Sequence, residues 1–76
     1  MSPRLPPCTP RRVLRVLKRA GFFIHETTGS HHILKHPERH GLRVTVAYHN
    51  KDLKRKTLAS IIEQTGMTID EFLQLL

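Results

Sequence analysis

The sequence predicts a small α+β domain: one helix, a three-stranded antiparallel sheet, a second helix and a further short helix at the C-terminal end. Three observations carry this prediction. Apolar residues recur at helical spacing soon after the first prolines. Three short β-rich runs follow, separated by turn signals. Helical spacing then returns and runs to a glycine at position 66. With 76 residues the chain suits one domain, and a chain of this size buries only about 60% of the surface that it exposes when unfolded. Residues 1–8 are expected to form a flexible Pro-rich tail and residues 9–76 the domain.

The elements follow in order. Residues 1–8 contain three of the five prolines, which favours an extended segment. Thr9 then Pro10 is a helix start, a hydroxyl N-cap followed by proline where its missing N–H costs nothing. Val13, Leu14, Val16, Leu17 and Ala20 form the apolar stripe, with Arg11, Arg12, Arg15, Lys18 and Arg19 on the remaining face. Gly21 is the C′ residue that ends this helix. FFIHET is rich in aromatic and β-branched residues, and Thr28-Gly29 marks a turn. SHHILKH is the second strand run, closed by the HPERHG loop, and LRVTVAY is the third. Runs separated by such turns form an antiparallel meander. Alternation puts Leu42, Val44, Val46 and Tyr48 on one face of the third strand, and Arg43, Thr45 and Ala47 on the other. HNKDLKRK is a basic loop, after which Thr57 is the expected N-cap of a helix with Leu58, Ile61 and Ile62 as its stripe. Thr68 and Glu71 have the spacing of a capping box for the last helix.

Charge narrows the partners. Thirteen Lys and Arg against six Asp and Glu give +7 at pH 7, with a pI near 10.6. On so small a domain this excess favours a polyanion, either nucleic acid or an acidic protein, over a plain solvated surface. No apolar run approaches the roughly 20 residues of a membrane span, and MSPRLPPCTPRR lacks the apolar stretch of a signal peptide. The single Cys8 forms no internal disulfide and no Cys-based zinc finger. A cytoplasmic protein is expected, with no membrane partner.

The chemistry concentrates in GSHH, residues 29–32. Strand alternation separates the two imidazoles: His31, Ile33 and Lys35 share one face, and Ser30, His32, Leu34 and His36 the other. Alternation does not say which face the helices cover, so both histidines stay candidates. A meander brings Lys35 and Arg43 near this region. Histidine among cations suits phosphate chemistry, because imidazole can take a proton from a ribose 2′-hydroxyl while Lys or Arg stabilises charge on phosphorus oxygens. Metal binding is the competitor, since His32, His36 and His40 are spaced i, i+4, i+8. Gly29, Pro37 and Gly41 argue against the helix that would align them, so neither metal nor other cofactor is expected. His25 and His40 read as surface residues. The core has first claim on Phe22, Phe23 and Tyr48, although each could stack on a base.

AGFF before a turn, GSHHILKHP, and RVTVAYHNKDLKRKTLASIIEQTGMTIDEFL together resemble the HicA family, small ribonuclease toxins of toxin–antitoxin pairs. The similarity runs from about Val13 to Leu73, with GSH on the second strand, the basic loop and the II-x-x-x-G-M helix in the family's order. The resemblance implies a double-stranded-RNA-binding-domain-like α-β-β-β-α fold. It also implies a toxin that acts as a metal-independent endoribonuclease on mRNA, neutralised by a HicB-type antitoxin. The family's catalytic histidine corresponds to His31, with Gly29 and Ser30 shaping the turn before it and His32 as the rival. Lys35 and Arg43 are assigned to phosphate, and His49, Lys51, Lys54, Arg55 and Lys56 to guiding the RNA strand. One departure is plain: Ala47 stands where the family commonly has proline, while His49 keeps the histidine two positions later.

A second reading is a non-catalytic RNA- or DNA-binding module, with TLASIIEQTGMTIDEFLQLL as a helix-turn-helix. Asp70 and Glu71 at the start of its second helix oppose that role, and only Gln74 there offers an amide to read bases.

Overall fold

The structure, a computed structural model, describes residues 5–76. Its element order is α1 (Pro10–Arg19), β1 (Phe23–Thr28), β2 (His31–Lys35), β3 (Arg43–Ala47), α2 (Arg55–Thr65) and α3 (Ile69–Gln74). This is the expected α+β architecture. The strands form one antiparallel sheet in the order β1-β2-β3.

Local chemistry accounts for the helix ends. The Thr9 hydroxyl accepts a hydrogen bond from Arg12 N–H, Pro10 opens α1, and Gly21 follows it with φ +98°. At α3 the capping box is complete, with Thr68 Oγ1 accepting from Glu71 N–H and Glu71 Oε1 accepting from Thr68 N–H. That bond to the backbone of Thr68 is the main reason why the Glu71 carboxyl is held below its ordinary pKa. The start of α2 departs from expectation. Its N-cap is Lys54, extended and without a side-chain capping bond, so Thr57 lies inside the first turn. Leu58 N–H already bonds to Lys54 C=O at 2.9 Å, and this backbone bond brings the helix start forward. Gly66, at φ +75°, ends it.

The core lies between the helices and one face of the sheet. Val13, Val16 and Leu17 of α1, Leu58, Ile61 and Ile62 of α2, and Phe72 of α3 meet Leu34, Val44 and Val46. Helices α1 and α2 contact β3 and α3 contacts α2, whereas every residue of β1 is exposed. Of the segment expected as a free Pro-rich tail, residues 1–4 lie outside the described residues and the rest is docked. Leu5 packs on the core, Cys8 is fully buried, and the Cys8 carbonyl accepts from Leu53 N–H at 2.8 Å. Burial pushes the Cys8 thiol pKa up.

The last helix is a packing element. Phe72 is buried, Leu73, Leu75 and Leu76 lean on the core, and the Arg19 guanidinium donates to the Leu75 carbonyl at 2.7 Å. That arrangement leaves α3 six residues long and tied down along its apolar side, unlike a recognition helix free to enter a groove.

Candidate active site

The site begins with a two-residue hairpin. Thr28 pairs with His31, leaving Gly29 and Ser30 as the loop. Gly29 has φ +58° and Ser30 has no positive φ, the pattern of a type II′ turn, whose first central position favours glycine. The Ser30 carbonyl then accepts from Tyr48 N–H at 2.7 Å, which continues the β2–β3 pairing beyond the strand ends. His31 is thereby fixed at the mouth of the central strand.

Register decides what each histidine faces. Leu34 pairs with Val44 and His32 with Val46, all on the side that carries the core. His32 is half-buried, its Nδ1 lies 3.0 Å from Thr27 Oγ1, and its ring meets Tyr48 edge-on at 5.1 Å. His31 pairs with Ala47 and is exposed on the opposite, open face, in line with Ile33 and Lys35. Strand alternation left this choice open, and the packing of Leu34 resolves it.

Around His31 the open face continues into the basic loop. Ala47, opposite His31, forms a wall of a cleft of about 480 Å³ that His49, Lys51, Asp52, Leu53, Lys54 and Thr57 also line, two lysines against one carboxylate. His49 is oriented by its Nδ1, which accepts from Lys51 N–H at 3.1 Å. The first turn of α2 holds no acidic side chain, and Lys54, Arg55 and Lys56 are exposed around it. Cations at this helix start reinforce the positive end of the helix dipole. Thus His49, Lys51 and Lys54 share one cleft, His31 adjoins it through its pairing with Ala47, and Arg55 and Lys56 are exposed beside it. Lys35 and Arg43 do not join them. They pair with each other at the far end of the strands, roughly 13 Å from His31 at about 3.3 Å per residue.

The other histidines have separate tasks. The Nδ1 of His36 accepts from Glu38 N–H at 3.1 Å and its Nε2 lies 3.2 Å from Ala20 C=O, so the ring joins the β2–β3 loop to the end of α1. His36 also packs edge-on to Phe22 at 5.1 Å. His40 meets the Pro37 carbonyl through Nε2 at 2.7 Å. His32, His36 and His40 therefore engage different partners, and among the described residues no three His, Cys, Asp or Glu side chains form a ligand set. No described helix is long and apolar enough to cross a membrane.

A family profile described as the HicA toxin of bacterial toxin–antitoxin systems matches residues 10–67. The chain belongs to the HicA toxin family. The match covers α1, the whole sheet, α2 and the hairpin that carries His31. No curated protein matches the chain. Membership in the HicA family makes this a toxin of a toxin–antitoxin system, and it implies an antitoxin as partner.

Two features of this HicA chain lie beyond a local reading of its sequence. Gln64 of α2 accepts from Thr45 N–H at 3.0 Å, closing part of the outer edge of β3. Phe23 and Tyr48, assigned to the core by composition, are instead 44% and 39% exposed, and only Phe22 of the three is buried.

Proposed function

We propose that this toxin is a metal-independent endoribonuclease that cleaves mRNA through His31 and is neutralised by a HicB-type antitoxin in the cytoplasm. The observation that carries the reading is the exposure of His31 on the open face, opposite Ala47, which walls the cleft lined by His49, Lys51 and Lys54 together with Asp52. His31 takes the proton of a ribose 2′-hydroxyl, whose oxygen attacks the adjacent phosphorus. The bond to the 5′-oxygen of the next nucleotide breaks, that oxygen takes a proton from solvent water, and the proton held by His31 returns to solvent. The products are a 2′,3′-cyclic phosphate and a free 5′-hydroxyl. Lys51 and Lys54, on the cleft that Ala47 walls, are assigned to offset charge on the phosphorus oxygens. Arg55 and Lys56 draw the flanking strand, and Lys35 and Arg43 hold a more distant phosphate rather than the scissile one. An antitoxin that covers the open face blocks all of these contacts together.

The test is incubation of the pure protein with single-stranded RNA in EDTA, with His31→Ala and His32→Ala in parallel. Cleavage by the parent and by His32→Ala, lost in His31→Ala, is expected. Undiminished cleavage by His31→Ala, or none by the parent, would sink the mechanism.

A further inference from the structure

We infer that the open face carries a nucleobase-stacking subsite at the end away from His31, built on Phe23 and His25, with Lys35 and Arg43 holding the neighbouring phosphate. The inference rests on the ribonuclease reading for the identity of the ligand as RNA, and it adds a second point of contact that the cleavage chemistry does not need.

The observations begin with an aromatic ring out of place. Phe23 is 44% exposed in a chain with only three phenylalanines, while its neighbour Phe22 is buried. A β-bulge accounts for where it points. Phe23 pairs with Lys35 and Ile24 with Leu34, but Glu26 pairs with Ile33, so that His25 is the extra residue. Beyond the bulge, Thr27 pairs with His32 and Thr28 with His31. Unbroken alternation would put Phe23 on the face of Thr27 and His32. The one-residue shift puts it instead on the open face that also carries Thr28, Lys35 and His31, the kind of re-aiming that bulges perform beside functional sites.

The surroundings of the ring specify the ligand. His25 meets Phe23 edge-on, with ring centroids 6.3 Å apart at 71°. Together with Lys35, Pro37 and His40 they border a cleft of about 340 Å³, within the range of small-ligand sites. Arg43 pairs with Lys35 across the strands and is exposed. A flat apolar ring with cations at its side suits a base with its phosphate, since stacking accepts any base and cations accept the backbone. The spacing of roughly 13 Å along β2, from four residues at about 3.3 Å each, separates this subsite from His31. It therefore grips RNA beyond the nucleotides at the cleaved bond and helps to choose which bond reaches His31.

The test uses the full chain carrying His31→Ala, so that RNA is bound without being cut, titrated with a short fluorescent single-stranded RNA. Adding Phe23→Ala should weaken binding by about 5- to 150-fold, the range for loss of one stacked base. The salt dependence should stay unchanged, whereas Lys35→Ala should reduce its slope by about 0.7. Phe23→Trp should retain affinity and, because the chain has no other tryptophan, its fluorescence should be quenched on binding. An abasic nucleotide stepped along the RNA should cost as much as Phe23→Ala at one position, and the two losses should not add. Phe23 lies outside the buried core, so Phe23→Ala should keep the parent's melting temperature. Affinity unchanged by Phe23→Ala overturns the subsite. If antitoxin binding falls instead, the patch is a protein contact and the inference is equally wrong. A parent that binds no RNA overturns this inference and the ribonuclease reading together. Cleavage that survives His31→Ala overturns the mechanism alone and leaves the Phe23 comparison decisive for the subsite.

Discussion

The two faces of β2 differ in what they are built to do. On the covered face Leu34 is fully buried against the helices, and His32 is held by Thr27 and Tyr48. On the open face Ile33 is half-buried and His31 is exposed. Residues adjacent in sequence thus belong to different physical regimes, one governed by packing and one by access. Because side chains alternate with period two, a slip of one residue in register would exchange them and turn Leu34 out of the core. The Gly29-Ser30 hairpin, whose short loop fixes register, therefore holds Leu34 in the core and His31 on the open face.

The largest expected effect tests this contrast directly. His31→Ala should lower the RNA cleavage rate by about 10²- to 10⁴-fold, the usual contribution of a general acid–base group, with no change in melting temperature. His32→Ala should do the converse, leaving the rate within a few-fold and costing about 1 kcal/mol of stability for one lost hydrogen bond. Equal rate losses in both variants would break the comparison.

Next in size is the packing side. Leu34→Ala should destabilise the domain by about 2–5 kcal/mol, as for other buried leucines, measured by urea denaturation. Ile33→Ala, one residue away on the open face, should cost distinctly less. A smaller effect is expected at Gly21, where φ is +98° and an added Cβ would come within 2.8 Å of His36 Nε2. Gly21→Ala should cost at least about 1–2 kcal/mol for the left-handed backbone, seen as a lower urea midpoint, while cleavage by the folded fraction is unchanged.

The smallest effect is expected at the start of α3. Glu71 has its carboxyl pKa lowered in the fold from the ordinary 4.5, chiefly by the bond from Thr68 N–H. A lowered folded pKa means that its contribution is present above the unfolded value and is lost as pH falls through the folded one. Melting temperature should therefore drop slightly on acidification through the carboxylate range, and Glu71→Gln should flatten that part of the profile.

Most of the fold was legible because its signals are local. Thr9-Pro10, the alternation in RVTVA, Gly66 and the Thr68–Glu71 box each act over a few residues, and each appears where expected. What was not legible depends on contacts between distant segments. Alternation separated His31 from His32, but only the burial of Leu34 against the helices says which one is open. The grouping of Lys35 and Arg43 with the histidine came from strand adjacency, and strand length then set them apart. His36 bridges to Ala20, sixteen residues away, and Gln64 reaches Thr45 across nineteen, so neither role had a local signal. Phe23 was assigned to the core on composition, and the bulge at His25 overrides that assignment.

Cys8 gives the domain a built-in probe of local opening. It is the chain's one thiol, fully buried, and its carbonyl holds Leu53 in the segment that also presents Lys51 and Lys54 to the cleft. A thiol reagent can reach it only when this N-terminal strap opens, so the labelling rate under native conditions is a clock for local unfolding. A ligand that clamps the basic loop should slow that clock in proportion to its occupancy. RNA and antitoxin can thus be compared on the same unmodified protein, without any reporter attached to the site.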